Sequence, residues 1–284
     1  MRLLITSDLH YNHPVSQPLA EELIERMNAA GGDVLLVIGD TAVADGDCWE
    51  QCLGRFRFDG PKLLVAGNHE LWTNGNDSLA VLMNQLPRRA AALGWRWLAD
   101  EPLVIGDVAL VGSVGWYDYS FAQKELGIPR RFYENKISPG VAQRLEKFAH
   151  LLGEDVGERA RRLYARWNDG VHVKLGMSDE KFLAALLGRL EEQLAGLARV
   201  PNVIAAVHCL PFAQLLPPSH NAQWDFAKAY LGSEKIGQLL LKYPNVKRVY
   251  CGHSHFPARA RVGHLTAVST GCGYRHKRFL QVEI

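Results

Sequence analysis

Five short apolar runs in this chain each lead into residues of the kinds that bind metal ions. Leu3 to Thr6 runs into Asp8-Leu9-His10, Val34 to Ile38 into Gly39-Asp40, and Leu63 to Ala66 into Gly67-Asn68-His69-Glu70. Val203 to Val207 runs into His208, and Val246 to Cys251 into Gly252-His253-Ser254-His255. Asp8 and His10 are two residues apart, as are His253 and His255, a spacing that puts both side chains on one side of an extended segment. These residue types argue for two divalent cations. Two metals about 3.5 to 4 Å apart clamp the attacking and leaving oxygens of an in-line displacement at phosphorus and lower the pKa of a bound water toward neutrality. One carboxylate must then bridge the pair. A mixed nitrogen and oxygen donor set suits Mn, Fe, Zn, Co or Ni better than Ca or Mg, which prefer oxygen throughout.

Such residues meet only if the chain brings the ends of those runs together. Continuous apolar runs of this length are the pattern of strands covered on both faces. Between the first two, Ala20, Leu23, Ile24 and Met27 follow helical spacing, with Ser16 and Pro18 as start signals and Gly31-Gly32 as the stop. The first hundred residues therefore predict a βαβαβ plan with a parallel sheet, and a third helix near 77–93. Residues 95–114 predict further strands of the same sheet, with a hairpin turn at Gly106-Asp107. An amphipathic helix is predicted over 178–200, with a stripe of Leu183, Leu186, Leu187, Leu190, Leu194 and Leu197, and another over 234–243. In an open α/β sheet, ligands bind at the carboxyl ends of the strands, so the five clusters converge on one crevice.

Composition sets the outer bounds. The 284 residues are 48% hydrophobic and 22% charged, with 32 Lys+Arg against 30 Asp+Glu, which excludes a disordered or low-complexity chain. A net charge of +2 gives no global footprint of a dedicated nucleic-acid binder. Cys48, Cys52, Cys209, Cys251 and Cys272 make no CxxC pairs, and the expectation is buried thiols in a reduced, cytoplasmic setting. Neither a signal peptide nor a membrane span is expected. The reading is one domain over 1–284, with a mainly helical insertion or cap at about 116–176, where aromatic and Arg-rich segments replace the strand pattern.

DxH, GD, GNHE, a solitary His and GHxH, in that order from Asp8 to His255, resemble the motifs of the calcineurin-like metallophosphoesterase superfamily. The resemblance implies a two-sheet α/β sandwich with flanking helices and a dinuclear site at its sheet edges. It places the first metal with Asp8, His10 and His255, the second with Asn68, His208 and His253, and Asp40 between them. It makes His69 a catalytic residue that stabilises phosphoryl oxygens or protonates the leaving alcohol. The implied reaction is hydrolysis of a phosphomonoester or phosphodiester by a hydroxide that the metal pair, Mn first among the candidates, activates. A small-molecule or nucleotide phosphate ester is the expected substrate; the alternatives are a Mn-dependent nuclease and a non-catalytic scaffold. One departure stands out. Many members carry an Asp three positions after the bridging Asp to orient the catalytic His, but Val43 occupies that place, leaving Asp45, Asp47, Glu70 or the backbone for the task.

Other residues have two readings each. Trp116, Tyr117 and Tyr119 either stack on a base or aryl group or pack inside the fold. Arg130, Arg131, Arg159, Arg161, Arg162 and Arg166, and the run Tyr274 to Arg278, either grip phosphate or form solvated faces. His13 is expected on a surface loop beside Pro14.

Overall fold

The computed structural model describes residues 1–75 and 77–284. Its strands, in chain order, are β1 (Arg2–Thr6), β2 (Val34–Ile38), β3 (Lys62–Val65), β4 (Trp95–Trp97), β5 (Leu103–Ile105), β6 (Val108–Ser113), β7 (Asn202–Val207), β8 (Val246–Cys251), β9 (Ala258–Val262), β10 (Leu265–Ser269) and β11 (Leu280–Glu283). They form two sheets, ordered β11-β1-β2-β3-β4 and β5-β6-β7-β8-β10-β9. β1 to β4 run parallel and so do β6, β7, β8 and β10, while β11, β5 and β9 are antiparallel edge strands.

The apolar runs are continuous because each strand faces two cores. Leu3, Ile5, Val34, Leu36, Ile38, Leu63 and Val65 point between the sheets, where they meet Leu103, Leu110, Ile204, Ala206 and Tyr250. The alternate residues Leu4, Leu35, Val37 and Leu64 pack instead with the helices. Period-two alternation is present, but both sides of it are apolar.

Helix α1 (Gln17–Ala30) buries Ala20, Leu23, Ile24 and Met27, as their spacing predicts. Ser16 sits at its N-cap, yet its hydroxyl donates to the Leu9 carbonyl at 2.6 Å and so ties the helix to the loop after β1. Helix α2 (Cys48–Gly54) links β2 to β3. The helical stretch near 77–93 widens to a π-turn over Val81–Gln85, where Leu86 N–H donates five residues back to the Val81 carbonyl before α3 (Leu86–Ala92). Pro87, with no N–H to offer, lies just beyond, where a regular ladder would need a donor. Helix α4 (Asp179–Gly196) is capped by Ser178 and buries Phe182, Leu183, Leu186, Leu190 and Leu194; α5 (Glu234–Leu241) precedes β8.

One expectation needs correction. The strands within 95–114 do not continue one sheet: after β4 the chain crosses to the second sheet, which it enters through the β5-β6 hairpin at Gly106-Asp107. Residues 116–176 are helical only in short pieces, the longest being the six-residue 3₁₀ stretch Glu146–Leu151. Pro129, Pro139, Gly127, Gly153 and Gly157 punctuate this segment too often for longer helices. It has a small core of its own, with Phe132, Ile137, Ala142, Leu151, Val156 and Ala160. Among the described residues, no helix is long and apolar enough to cross a membrane.

Asp179, the first residue of α4, fastens this segment to the body of the fold. It accepts from Trp116 Nε1 at 2.8 Å, from the Tyr119 hydroxyl and from Lys136 Nζ at 2.5 Å, and is itself 6% exposed. Removing one partner of a buried ion pair leaves the other charge uncompensated. Asp179→Ala is therefore expected to lower unfolding free energy by about 3 kcal/mol or more, read as a shifted midpoint in urea; a midpoint unchanged from wild type would contradict this.

Candidate metal centre

All five parallel strands that carry the clusters present their carboxyl ends to one crevice, and three of them, β1, β2 and β8, leave it through left-handed backbone. Among the described residues, seven non-glycine residues have positive φ, and five of them are Asp8, His10, Asp40, His253 and His255. Left-handed backbone costs such residues on the order of 1–3 kcal/mol each, and it persists where the surroundings enforce it. Here it turns successive side chains inward instead of letting them alternate. The flanking glycines are required by close approach: a Cβ on Gly67 would collide with the Asp40 carboxylate, and one on Gly252 with that of Asp8.

The loops are laced to one another. Asp8 N donates to the Gly39 carbonyl at 2.9 Å, His10 N to that of Asp40 at 2.8 Å, and Gly252 N to that of His208 at 3.0 Å. Glu70, fully buried, accepts from Gly67 N at 2.8 Å, Asp40 N at 2.9 Å and Thr41 N at 2.7 Å, clamping the ends of β2 and β3 together. Burial and the neighbouring Asp40 charge push its carboxyl up to about 7.

Two donor sets result. Asp8, His10, Asp40 and His255 offer ligand atoms within 4.8 Å of one another, and so do Asp40, His208 and His253. His255 Nε2 lies 3.4 Å from Asp8 Oδ1 and 2.9 Å from His10 Nε2, while His208 Nε2 lies 3.4 Å from Asp40 Oδ1. Asp40 belongs to both sets. Asn68 is equally buried beside the second, its Nδ2 donating to Asp169 Oδ1 at 2.8 Å.

The hydrogen bonds on the outer side of His208, His253 and Asn68 test whether the second set suits a cation. His208 Nδ1 faces the Ile38 carbonyl at 2.9 Å and carries a proton toward it, so Nε2 is the nitrogen that can give up its proton and offer a lone pair to a cation. His253 Nε2 likewise faces the Tyr230 carbonyl at 3.1 Å, leaving Nδ1. His208 Nε2 and Asn68 Oδ1 are buried with no hydrogen-bond partner. Buried polar atoms are rarely left so, and a converging group of lone pairs and carboxylates is the arrangement a cation satisfies. The residues fit two metal ions.

In the bare protein, imidazoles must neutralise the acids. Burial drives Asp40 toward neutrality, but His208, His69 and His10 outweigh it and hold the carboxyl well below its ordinary range. Burial likewise opposes charging of His208, yet Asp40 draws that ring up to about 10; His253, buried beside His208, is pushed down to about 4.

His69 is held without a carboxylate on its ring. Its backbone N–H donates to Asp40 Oδ1 at 2.9 Å, and its ring stacks on Trp72 at 3.8 Å and 24° with the edge of His10 at 4.5 Å. None of the three acids considered in place of Val43 orients it: Asp45 accepts from Asn74 N, Asp47 from Gln51, and Glu70 from backbone. Its Nε2 stands 3.9 Å from Asp40 Oδ2 and 3.5 Å from the Tyr274 hydroxyl.

Beside the two sets opens a cavity of about 350 Å³ walled by Trp72, Trp167, Trp224 and Tyr274, with Arg166 among its lining residues. Sequence reasoning did not find the three tryptophans. Trp116, Tyr117 and Tyr119 are buried, so packing and not ring stacking on a ligand is their part. Of the arginines, Arg130 pairs with Glu134 and Glu180, Arg131 with Asp155 and Arg162 with Glu158, leaving Arg166 as the one of that group at the cavity. His13 is exposed, with its ring 4.9 Å from that of Tyr274.

The sequence profile of the calcineurin-like phosphoesterases matches residues 1–257, and the chain belongs to that family: it is a phosphoester hydrolase of a class that uses a dinuclear metal site. Over 265 residues it is 25% identical to the [acyl-carrier-protein] phosphodiesterase PptH of Mycobacterium tuberculosis, covering 88% of this chain and 71% of that one. The crystal structure of M. tuberculosis phosphopantetheinyl hydrolase PptH superposes with a TM-score of 0.69 at 21% identity, over 96% of this chain and 89% of the other. A dimetal phosphatase from Danio rerio shares the fold with a TM-score of 0.52 at 12% identity, over 99% and 91% of the two chains.

If the two donor sets share Asp40 as a ligand, Asp40→Asn and His208→Ala should each abolish hydrolysis in a folded protein and lower its metal content by elemental analysis. Normal turnover with unchanged metal content in either variant would refute the assignment.

Proposed function

We propose that this phosphoesterase is a metal-dependent phosphodiesterase acting on a phosphate that carries an extended organic arm. The observation behind this is the aromatic-walled cavity opening directly beside the donor sets. Asp8, His10 and His255 would hold the first ion, Asn68, His208 and His253 the second, and Asp40 both; Mn leads the candidates, with Fe, Zn, Co or Ni able to occupy the same donors. When bound, such a pair supplies an activated water and neutralises charge growing on the phosphoryl oxygens.

The remaining work belongs to side chains. His69 Nε2 faces the cavity next to Asp40 and donates its proton to the leaving oxygen. Trp72, Trp167, Trp224 and Tyr274 exclude water and pack along the arm, and Arg166 meets an anionic group on it. The M. tuberculosis relative is named for a phosphodiester on acyl-carrier protein. That name supports phosphopantetheine linked to a carrier protein as the class of substrate. The segment 116–176, an insertion within one domain over 1–284, contributes Arg166 and Trp167 and so shapes specificity. Five free thiols support a reducing, cytoplasmic setting.

The test is to assay Mn-loaded protein on an aryl phosphomonoester, a bis-aryl phosphodiester and a phosphopantetheinylated carrier protein. The carrier-linked diester is expected to give the highest kcat/KM; preference for the monoester would overturn the reading. His69→Ala is expected to retain both metals and lose about 10²-fold or more in kcat, and loss of metal instead would assign the ring to metal binding.

A further inference from the structure

We propose that Asp169 is a positioning residue: it fixes which end of Asn68 faces the second donor set and, with the same carboxylate, holds two indole walls of the cavity. The proposal rests on the reading of Asn68 as a metal ligand.

Asp169 lies in the segment 116–176, 101 positions from Asn68, and is 1% exposed. Its Oδ1 accepts from Asn68 Nδ2 at 2.8 Å and from Trp72 Nε1 at 2.6 Å. Its Oδ2 accepts from Trp167 Nε1 at 2.7 Å and from the Tyr117 hydroxyl at 3.0 Å. An ionised carboxylate has about four lone-pair sites on its two oxygens, and four neutral donors meet them.

A primary amide is nearly symmetric in shape, and nothing in its size decides whether oxygen or nitrogen faces the crevice. The bond to Asp169 decides it, because an acceptor-only group can be met only by Nδ2. Asn68 Oδ1 is then turned inward, where it has no hydrogen-bond partner. The indole that shares Oδ1 is the surface on which His69 stacks at 3.8 Å, and the indole on Oδ2 stacks on Tyr230 at 5.1 Å and reaches the ring of His253 at 5.8 Å. Asp169 is in turn held by a strap fastened to the loop after β3. His172 stacks on Trp72 at 4.7 Å and its carbonyl accepts from Thr73 N at 3.0 Å, while Lys174 exchanges bonds with Ser78 at 3.0 and 2.8 Å. One buried carboxylate thus joins a metal ligand to the substrate walls.

Asp169→Asn keeps the size but offers one oxygen, and it turns an NH₂ toward two donors. Mn(II) titration of the apoprotein, followed by electron paramagnetic resonance, reads free, singly bound and exchange-coupled Mn separately and needs no substrate. The expected result is a first Mn bound as in wild type and a second bound roughly 10- to 100-fold more weakly, the usual effect of losing a group that orients a ligand. A coupled pair forming at the wild-type Mn concentration, or equal weakening of both sites, would overturn the proposal. Trp72→Phe, which takes the indole donor from Oδ1 and leaves the Asn68 bond, serves as the second variant if the first does not fold. It is expected to keep both Mn affinities while raising severalfold the KM for whichever of the three assayed esters the wild-type protein hydrolyses. Loss of the second Mn in this variant, or an unchanged KM, would equally count against the proposal. Because the metal readout stands apart from turnover, a wrong substrate class would leave the Mn titration unaffected.

Discussion

A buried convergence of acceptors is unstable unless something positive sits among them. Asp8 and Asp40, the lone-pair nitrogens of four histidines and the oxygen of Asn68 all face one crevice, and the outer bonds to Ile38, Tyr230 and Asp169 fix the second set that way round. Isolated charges in such surroundings are expensive, and buried acceptors without donors forfeit hydrogen bonds they would make in water. The local architecture follows from that constraint. The left-handed turns at the strand ends, the glycines that admit carboxylates and the clamp of Glu70 on three backbone N–H groups all keep unfavourable neighbours in place. In the bare protein the partial remedy is proton sharing, with His208 drawn up by Asp40 while His253 beside it is driven down.

The division of labour between the sheets and the rest of the chain is equally physical. Parallel strands buried on both faces fix the donor residues within each sheet, and the bond from His253 N to Asp8 Oδ1 at 2.9 Å ties the two sheets' ends together. The cavity walls come from elsewhere: Trp72 from the loop after β3, Trp167 from the segment 116–176, Trp224 from a short helix and Tyr274 from the loop before β11. Related folds can keep one part and vary the other, which is why a shared metal chemistry says little about the organic group on the phosphate.

The same division explains what the sequence could disclose. That Asp8, His10, Asp40, Asn68, His208, His253 and His255 meet at one crevice was legible because five such clusters each follow an apolar run and because strand ends are where ligands gather. The helix stripe of α1 and the hairpin at Gly106-Asp107 were legible because each is a local pattern. The passage from one sheet to the other between β4 and β5 was not, since a strand carries no mark of its sheet. Nor was the orientation of His69, for a stacked indole three residues on leaves no trace in a motif that expects an acid where Val43 stands. Asp169 lay furthest out of reach: an Asp between Asn168 and Gly170 reads as a turn, and only tertiary structure brings it to Asn68.

The pairing of β11 with β1 has a consequence for the order of assembly. Glu283 lies opposite Arg2, Lys277 donates to the Asp8 carbonyl at 2.6 Å, and the Thr6 hydroxyl donates to that of Arg278 at 2.9 Å. The outer edge of β1 is therefore paired only once residues 280–283 are in place, a long-range closure of the kind that slows folding. The turn that presents Asp8 and His10 is the earliest piece of the centre to be translated and among the last to be braced.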